Sequence, residues 1–291
     1  MSNPTPIKDK AIVLAQITDS HLFSSRDGMH HGHNVFENLK KVLLSICHNP
    51  KIDYVVFTGD LTQDHSEQSY QNFADLVREC GVAIPIYYLA GNHDEPELLA
   101  KYFSAAPFSS DTCIEHPHWQ IQLVDSKSAT PAGYVSEQAL AKLKTAIKQD
   151  KHQLVMMHHH PIDVGYFIDK HGLQNKADFW QAINDYDNIQ TIACGHVHSA
   201  MQLSNESEPA KVTSVTNASN VINTPNATKI TKAVTTQSTA VNQAVTLYTC
   251  PATSIQFDPS VDGVAALAKG PGYRIFNLSA DGNLHTDVVY L

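Results

Sequence analysis

Among the seventeen histidines of this 291-residue chain, several stand where a short apolar run ends. The stretch TIACGHVHS sets His196 and His198 on either side of Val197, directly after such a run and a glycine. In extended backbone alternate side chains share a face, so the two imidazoles would point the same way. Gly195 lets the backbone turn and approach another group closely. A lone HxH is usually a polar loop, so a metal-binding reading needs partners elsewhere. Four other run ends supply them: Asp19 and His21 in ITDSH, Asp60 in FTGD, Asn92, His93 and Asp94 in LAGNHD, and His158, His159 and His160 in MMHHHP. An aspartate after a strand is most often a turn residue. GNHD weighs more, because an amide and an imidazole aimed into one site have few structural uses. Together, in chain order, the five ends point to one site at the carboxyl edge of a sheet, where open α/β sheets bind ligands. The donors are oxygen and nitrogen without thiolate, a set that suits manganese, iron or zinc better than copper.

Those residues need strands to carry them. AIVLAQI, DYVVFTG, IYYLAG, WQIQLVDS, QLVMMHH and IQTIACGH read as strands. Val35, Leu39, Val42, Leu43 and Ile46 lie on one helical face, behind Asn34 and Glu37 as a capping box. Further helices are expected from about Ser66 to Cys80, around PELLAKYF with Asp94 as a candidate cap, in SEQALAKLKTAIKQ and near KADFWQAIND. This alternation predicts an α/β fold with substantial parallel pairing. VTLYTCP, GYRIFNLS and LHTDVVYL read as later strands, with a hairpin turn at Asp281-Gly282. Tyr87 and Tyr88 are expected in the core. One domain spanning residues 1–291 is expected, interrupted at about 204–245 by a Thr/Asn-rich insertion with no aromatic residue. Its composition fits either a mobile insertion or a polar hairpin, able to reshape the rim of the cleft. The sequons at Asn217 and Asn226 read as chance matches.

A net charge of -9 with no basic stripe argues against a nucleic-acid partner. It leaves room for an anionic substrate, because bound cations invert the local field. Five scattered cysteines without a CxxC pair suit buried thiols in a reducing compartment. The first apolar run follows Lys8 and Lys10 but is short and runs straight into TDSH, so it reads as a strand and not as a signal peptide. No run reaches membrane-spanning length. A cytoplasmic protein with no membrane partner is expected; the oligomeric state is not indicated.

The series DxH, GD, GNHD, H and GHxH, from about Gln16 to His198, resembles the calcineurin-like metallophosphoesterase superfamily. DSHLF, GDLTQD, MHHHP, TCPATSIQFDP and GPGYRIFNL resemble the bacterial class III 3',5'-cyclic-AMP phosphodiesterases in particular. Ala90 departs from the family, which often has proline before GNH. The resemblance implies a four-layer α/β/β/α sandwich of two mixed β-sheets flanked by helices. It implies two divalent ions, Fe2+ or Mn2+ ahead of Zn2+. Asp19, His21, Asp60 and His198 would hold one ion; Asp60, Asn92, His158 and His196 would hold the other, with Asp60 as the bridge. His93 would stand near the leaving group as proton donor or phosphate stabiliser, with Asp94 as its orienting partner. Asn92, His93 and His198 would touch the substrate. The implied reaction is hydrolysis of a small-molecule phosphodiester, cyclic AMP to 5'-AMP, by a hydroxide that the metal pair activates. Another diester, such as a glycerophosphodiester or a dinucleotide, and a non-catalytic metal-binding scaffold are the alternatives. His30, His31 and His33 are expected as exposed loop residues, His159 and His160 as loop or substrate-edge residues, and Asp64 as structural.

Overall fold

Strands covered on both faces must be apolar at nearly every position, and the central strands here are. The computed structural model describes residues 10–205 and 244–291. The chain runs β1 (Ile12–Ile17), a small hairpin of β2 (Met29–His30) and β3 (His33–Asn34), α1 (Val35–Cys47), β4 (Tyr54–Phe57), α2 (Glu67–Glu79), β5 (Ile86–Tyr88), α3 (Pro96–Tyr102) and β6 (Phe108–Ser109). It continues through β7 (Cys113–Glu115), β8 (Trp119–Val124), α4 (Glu137–Ala146), β9 (His152–Met157), a 3-10 turn (Phe167–His171), α5 (Lys176–Ile183) and β10 (Ile189–Cys194). β11 (Gln202–Ser204), β12 (Thr246–Thr249), β13 (Gly272–Leu278) and β14 (Leu284–Tyr290) close the fold.

Two six-stranded sheets result. The first has the order β14-β13-β1-β4-β5-β6, in which β1, β4, β5 and β6 are parallel and β13 and β14 antiparallel. The second has the order β11-β12-β10-β9-β8-β7, with a parallel centre and an antiparallel strand at each edge. Side-chain alternation sorts the residues of each strand into separate cores. Ala15, Val55 and Phe57 pack beneath Leu39 and Val42 of α1, Phe73 of α2 and Leu99 of α3. Leu14, Val56, Leu154, Met156 and Phe276 fill the space between the sheets. Val155, Met157 and Ile192 pack beneath Leu143 of α4 and Phe179 of α5. The outcome is a four-layer α/β/β/α sandwich. Each fully buried side chain of this kind stabilises it by roughly 1.5–3 kcal/mol.

Asn34, Ser66 and Ser136 cap α1, α2 and α4 through their side chains. The cap of α3 is Glu95, not Asp94, whose carboxylate is engaged elsewhere. Tyr88 packs against the helix-side core and Tyr87 against the inter-sheet core. Cys80, Cys194 and Cys250 are buried, whereas Cys47 is exposed and Cys113 intermediate, so the expectation of buried thiols holds for three of five; all are free. MHHGHN, expected as a loop, is the β2–β3 hairpin. β11 and β12 pair antiparallel from Gln202↔Tyr248 to Ser204↔Thr246, and Thr246 in turn lies beside Thr191 near the start of β10. The described ends of the insertion therefore sit at the pole opposite the carboxyl ends of the strands. Residues 206–243, with both sequons, lie outside the described residues. Among those described, no helix is long and apolar enough to cross a membrane.

Candidate metal centre

Every expected ligand follows the end of a parallel strand. Asp19 and His21 follow β1, Asp60 follows β4, and Asn92 and His93 follow β5, all in the first sheet. His158 follows β9 and His196 and His198 follow β10, in the second. The site therefore straddles the seam between the sheets. The chain leaves these strands by left-handed turns. Asp19, His21, Asp60, His196 and His198 have φ of 54°, 46°, 58°, 66° and 51°. Such a conformation costs a non-glycine residue on the order of 1–3 kcal/mol and clusters at functional sites. It also corrects the extended-backbone argument for HVH. Both histidines are left-handed, and their rings serve different neighbours.

Two glycines allow the close approach this needs. A Cβ on Gly91 would lie 2.2 Å from Asp60 Oδ1, and one on Gly195 would lie 2.2 Å from Thr18 Oγ1. A methyl on Gly91 would part the loops after β4 and β5, and one on Gly195 would push the seam between the sheets apart.

His21 Nε2 and His198 Nε2 face each other at 3.0 Å, with Asp19 Oδ1 3.4 Å from the latter and 3.9 Å from the former. Asp60 Oδ2 lies 3.7 Å from His21 Nε2 and 3.4 Å from His158 Nε2. His158 Nε2 is in turn 3.1 Å from Asn92 Oδ1. Ligand atoms of His158, His159 and His196 lie within 4.8 Å of one another. All seven expected ligands are thus brought together as two adjoining groups, with one Asp60 oxygen facing both.

The donor set fits cations. Asp19 Oδ1 and His196 Nε2 are buried without a hydrogen-bond partner. His158 Nδ1 donates to the Thr58 carbonyl at 2.7 Å and His198 Nδ1 to the Ile255 carbonyl at 3.0 Å. A carbonyl only accepts, so in neutral rings both lone pairs are left on the Nε2 atoms that point inward. Burial holds His21 and His196 far below the usual imidazole range, which keeps them neutral and able to ligate. Burial pushes Asp60 upward, but the charge and hydrogen bond of His158, with His21 and His93, together outweigh this and keep the carboxylate charged. For His158 burial acts downward, and the charge and hydrogen bond of Asp60, the Asp19 charge and the Thr58 carbonyl together raise it to about 9. A cation bound there would take the place of that proton.

Asp94 lies deep in the site in an unexpected role. Its two oxygens accept from the backbone N–H groups of Gly91, Asp60 and Leu61, each at 2.8 Å. No hydrogen bond joins it to the His93 ring, whose Nδ1 is buried without a partner. Asp94 ties the end of β4 to the loop after β5. Asp94→Ala strands three buried donors, and a loss of roughly 3 kcal/mol or more is expected in denaturant unfolding.

Other expectations need correction. His159 and His160 do lie in the loop after β9, but they are fully buried within it. His159 Nδ1 meets Ser126 Oγ at 2.8 Å; His160 Nε2 meets Asp169 Oδ1 at 3.1 Å, and its ring stacks on His196 at 5.7 Å. His31 and His33 are exposed, but His30 is half-buried against His21 at 5.3 Å, and burial holds it at about 4. Asp64 accepts from Ser24 N and from Ser66 N and Oγ, which is a structural task. TCPATSIQFDP, placed outside the metal motifs by sequence, packs directly on the centre. Ser254 N and Oγ donate to the Asp19 carbonyl, Ile255 orients His198, and the Phe257 ring lies 4.0 Å from that of His198. No spacing rule links residue 257 to residue 198, so sequence patterning had no signal for this contact.

Comparison with known proteins agrees with the geometry. Residues 12–200, more than half of the chain, match the family model described as Calcineurin-like phosphoesterase. The chain is 64% identical over 291 residues to a protein of Colwellia psychrerythraea named probable cyclic nucleotide phosphodiesterase, covering 100% of this chain and 99% of that one. It is 29% identical over 290 residues to the Escherichia coli K12 3',5'-cyclic adenosine monophosphate phosphodiesterase CpdA, covering 97% and 91%. Among solved structures, a dimetal phosphatase from Danio rerio has a similar fold, with TM-score 0.58 and 12% identity over 97% of this chain and 99% of that one. With ligand-bearing strand ends and this match along most of its length, the chain belongs to the calcineurin-like phosphoesterase family.

Proposed function

We propose that the protein hydrolyses 3',5'-cyclic AMP to 5'-AMP with two divalent cations, Fe2+ or Mn2+ ahead of Zn2+. The coarser statement, that it is a metal-dependent phosphodiesterase, rests on the family and on the relatives named as cyclic nucleotide phosphodiesterases. One observation carries the two-cation reading: Asp60 Oδ2 lies 3.7 Å from His21 Nε2 and 3.4 Å from His158 Nε2, so a single carboxylate faces both ligand groups. Asp19, His21, Asp60 and His198 would hold one cation, and Asp60, Asn92, His158 and His196 the other. Bound there, the pair would neutralise charge at phosphorus and make a water acidic enough to attack.

The chain's own residues do the rest. His93 N–H donates to Asp60 Oδ1 at 2.9 Å, which fixes the carboxylate's orientation and anchors His93 beside it. The His93 ring, free of any competing hydrogen bond at Nδ1, serves the leaving oxygen. Asn92 and His198 border the same space and contact the phosphate. Water adds to phosphorus, the bond to O3' breaks, and O3' takes up a proton to give 5'-AMP. A non-catalytic scaffold would have no need for all seven ligand positions and His93 to be filled. The cyclic-AMP assignment draws on the relatives' names and on the C-terminal stretch that closes over His198.

A chelator is expected to abolish turnover, and Mn2+ or Fe2+ to restore it. In a panel of cyclic AMP, cyclic GMP and bis-p-nitrophenyl phosphate, cyclic AMP is expected to give the highest kcat/KM. Turnover of the artificial diester alone would remove the substrate assignment and favour a glycerophosphodiester or dinucleotide.

A further inference from the structure

His93 lacks the hydrogen bond that usually orients a working imidazole. Its Nδ1 has no partner, and the neighbouring Asp94 spends both oxygens on backbone donors. Two other imidazoles touch the ring instead. His21 meets it edge-on, with centroids 4.9 Å apart and planes at 87°. His65 lies parallel to it, at 5.6 Å and 8°.

His65 belongs to no ligand group, and its side chain is 55% exposed, so burial does not hold it in place. Its backbone is nevertheless left-handed, with φ of 55°. Seven non-glycine residues among those described share that feature. Five are the expected ligands. His31 sits with Gly32 in the two-residue turn of the β2–β3 hairpin, where paired positive φ is usual. His65 is the one left, and Asp64 imposes its conformation by gripping Ser66 on one side and Ser24 on the other. The strained turn carries the imidazole onto the face of His93.

We propose that His65 is a positioning residue for His93: parallel packing of the two rings sets the plane from which His93 serves the leaving oxygen. This deepens the function proposed above and relies on it for the task of His93. Two variants separate ring from backbone. His65→Gly removes the ring while accepting the left-handed turn without strain. His65→Phe returns a flat ring that has no nitrogen, and it is compared on rate alone because a bulky residue strains that turn.

His65→Gly is expected to lower kcat about tenfold or more through a misplaced His93, with KM, metal content and unfolding midpoint close to wild type. His65→Phe is expected to recover most of the loss. In metal-free protein, the carbon-bound imidazole protons of His93 are expected to shift in NMR spectra once the stacked ring is gone. A His65→Gly protein with wild-type kcat, a His65→Phe protein no better than it, or unmoved His93 resonances would each overturn the proposal. Wild-type protein inactive on every diester would overturn the proposed function instead, and the resonance shift would still judge the packing.

Discussion

Asp60→Ala protein is expected to retain neither cation after purification and to lose roughly three powers of ten or more in phosphodiesterase activity. The reason is geometric. Among the described residues, Asp60 Oδ2 is the carboxylate oxygen within 4.0 Å of both His21 Nε2 and His158 Nε2, so removing it withdraws a candidate ligand and a negative charge from both groups at once. Charge stabilisation by a metal pair contributes several kcal/mol to a transition state, and each 1.36 kcal/mol is tenfold in rate. The alanine also leaves the His93 N–H without its acceptor. Metal analysis alongside turnover checks this. Full occupancy by two ions in the variant would show that Asp60 is not the shared ligand.

His93→Ala separates chemistry from ligation. The expected protein keeps both cations, folds normally and turns over about 10²–10⁴-fold more slowly, the usual span for loss of a positioned acid or base. His93 lies close to the same centre, since its ring nitrogen falls within 4.8 Å of ligand atoms of His21 and Asp60. A ligand role is therefore a real competitor, and metal content decides between them. Loss of the ions in step with activity would make His93 a ligand. A substrate with a better leaving group should recover part of the rate if the ring acts on the leaving oxygen, because such an oxygen needs less help.

The convergence of the candidate ligands was legible because few residue types suit such a site and each sits at a strand end marked by an apolar run. The alternation of strands and helices was legible for the same reason: the buried faces of α1 and α2 repeat at helical spacing. The short strands β6, β7 and β11 were missed, since two or three residues carry no periodicity. What the backbone does at the site was also hidden. An extended HVH and a left-handed one have the same letters, and only tertiary contacts hold His196 and His198 in the costlier form. Asp94 looked like a helix cap because aspartate commonly is one; two of the backbone donors it serves, Asp60 and Leu61, come from the distant loop after β4. The burial of His159 and His160 depends on Ser126 and Asp169, which no local pattern connects to HHHP.

The apolar filling between the two sheets gives way at one end to polar stitching. His158 reaches the Thr58 carbonyl, the His196 N–H reaches Asp19 Oδ2, and the Thr253 N–H reaches the Thr18 carbonyl. Neither half of the sandwich carries enough donors to grip a cation pair by itself. Cation capture would therefore report that the halves have docked in register, and its free energy would be added to that of docking. Loading of the centre would thus steady layers that have already docked, and a chain with misaligned layers would be expected to lack activity as well.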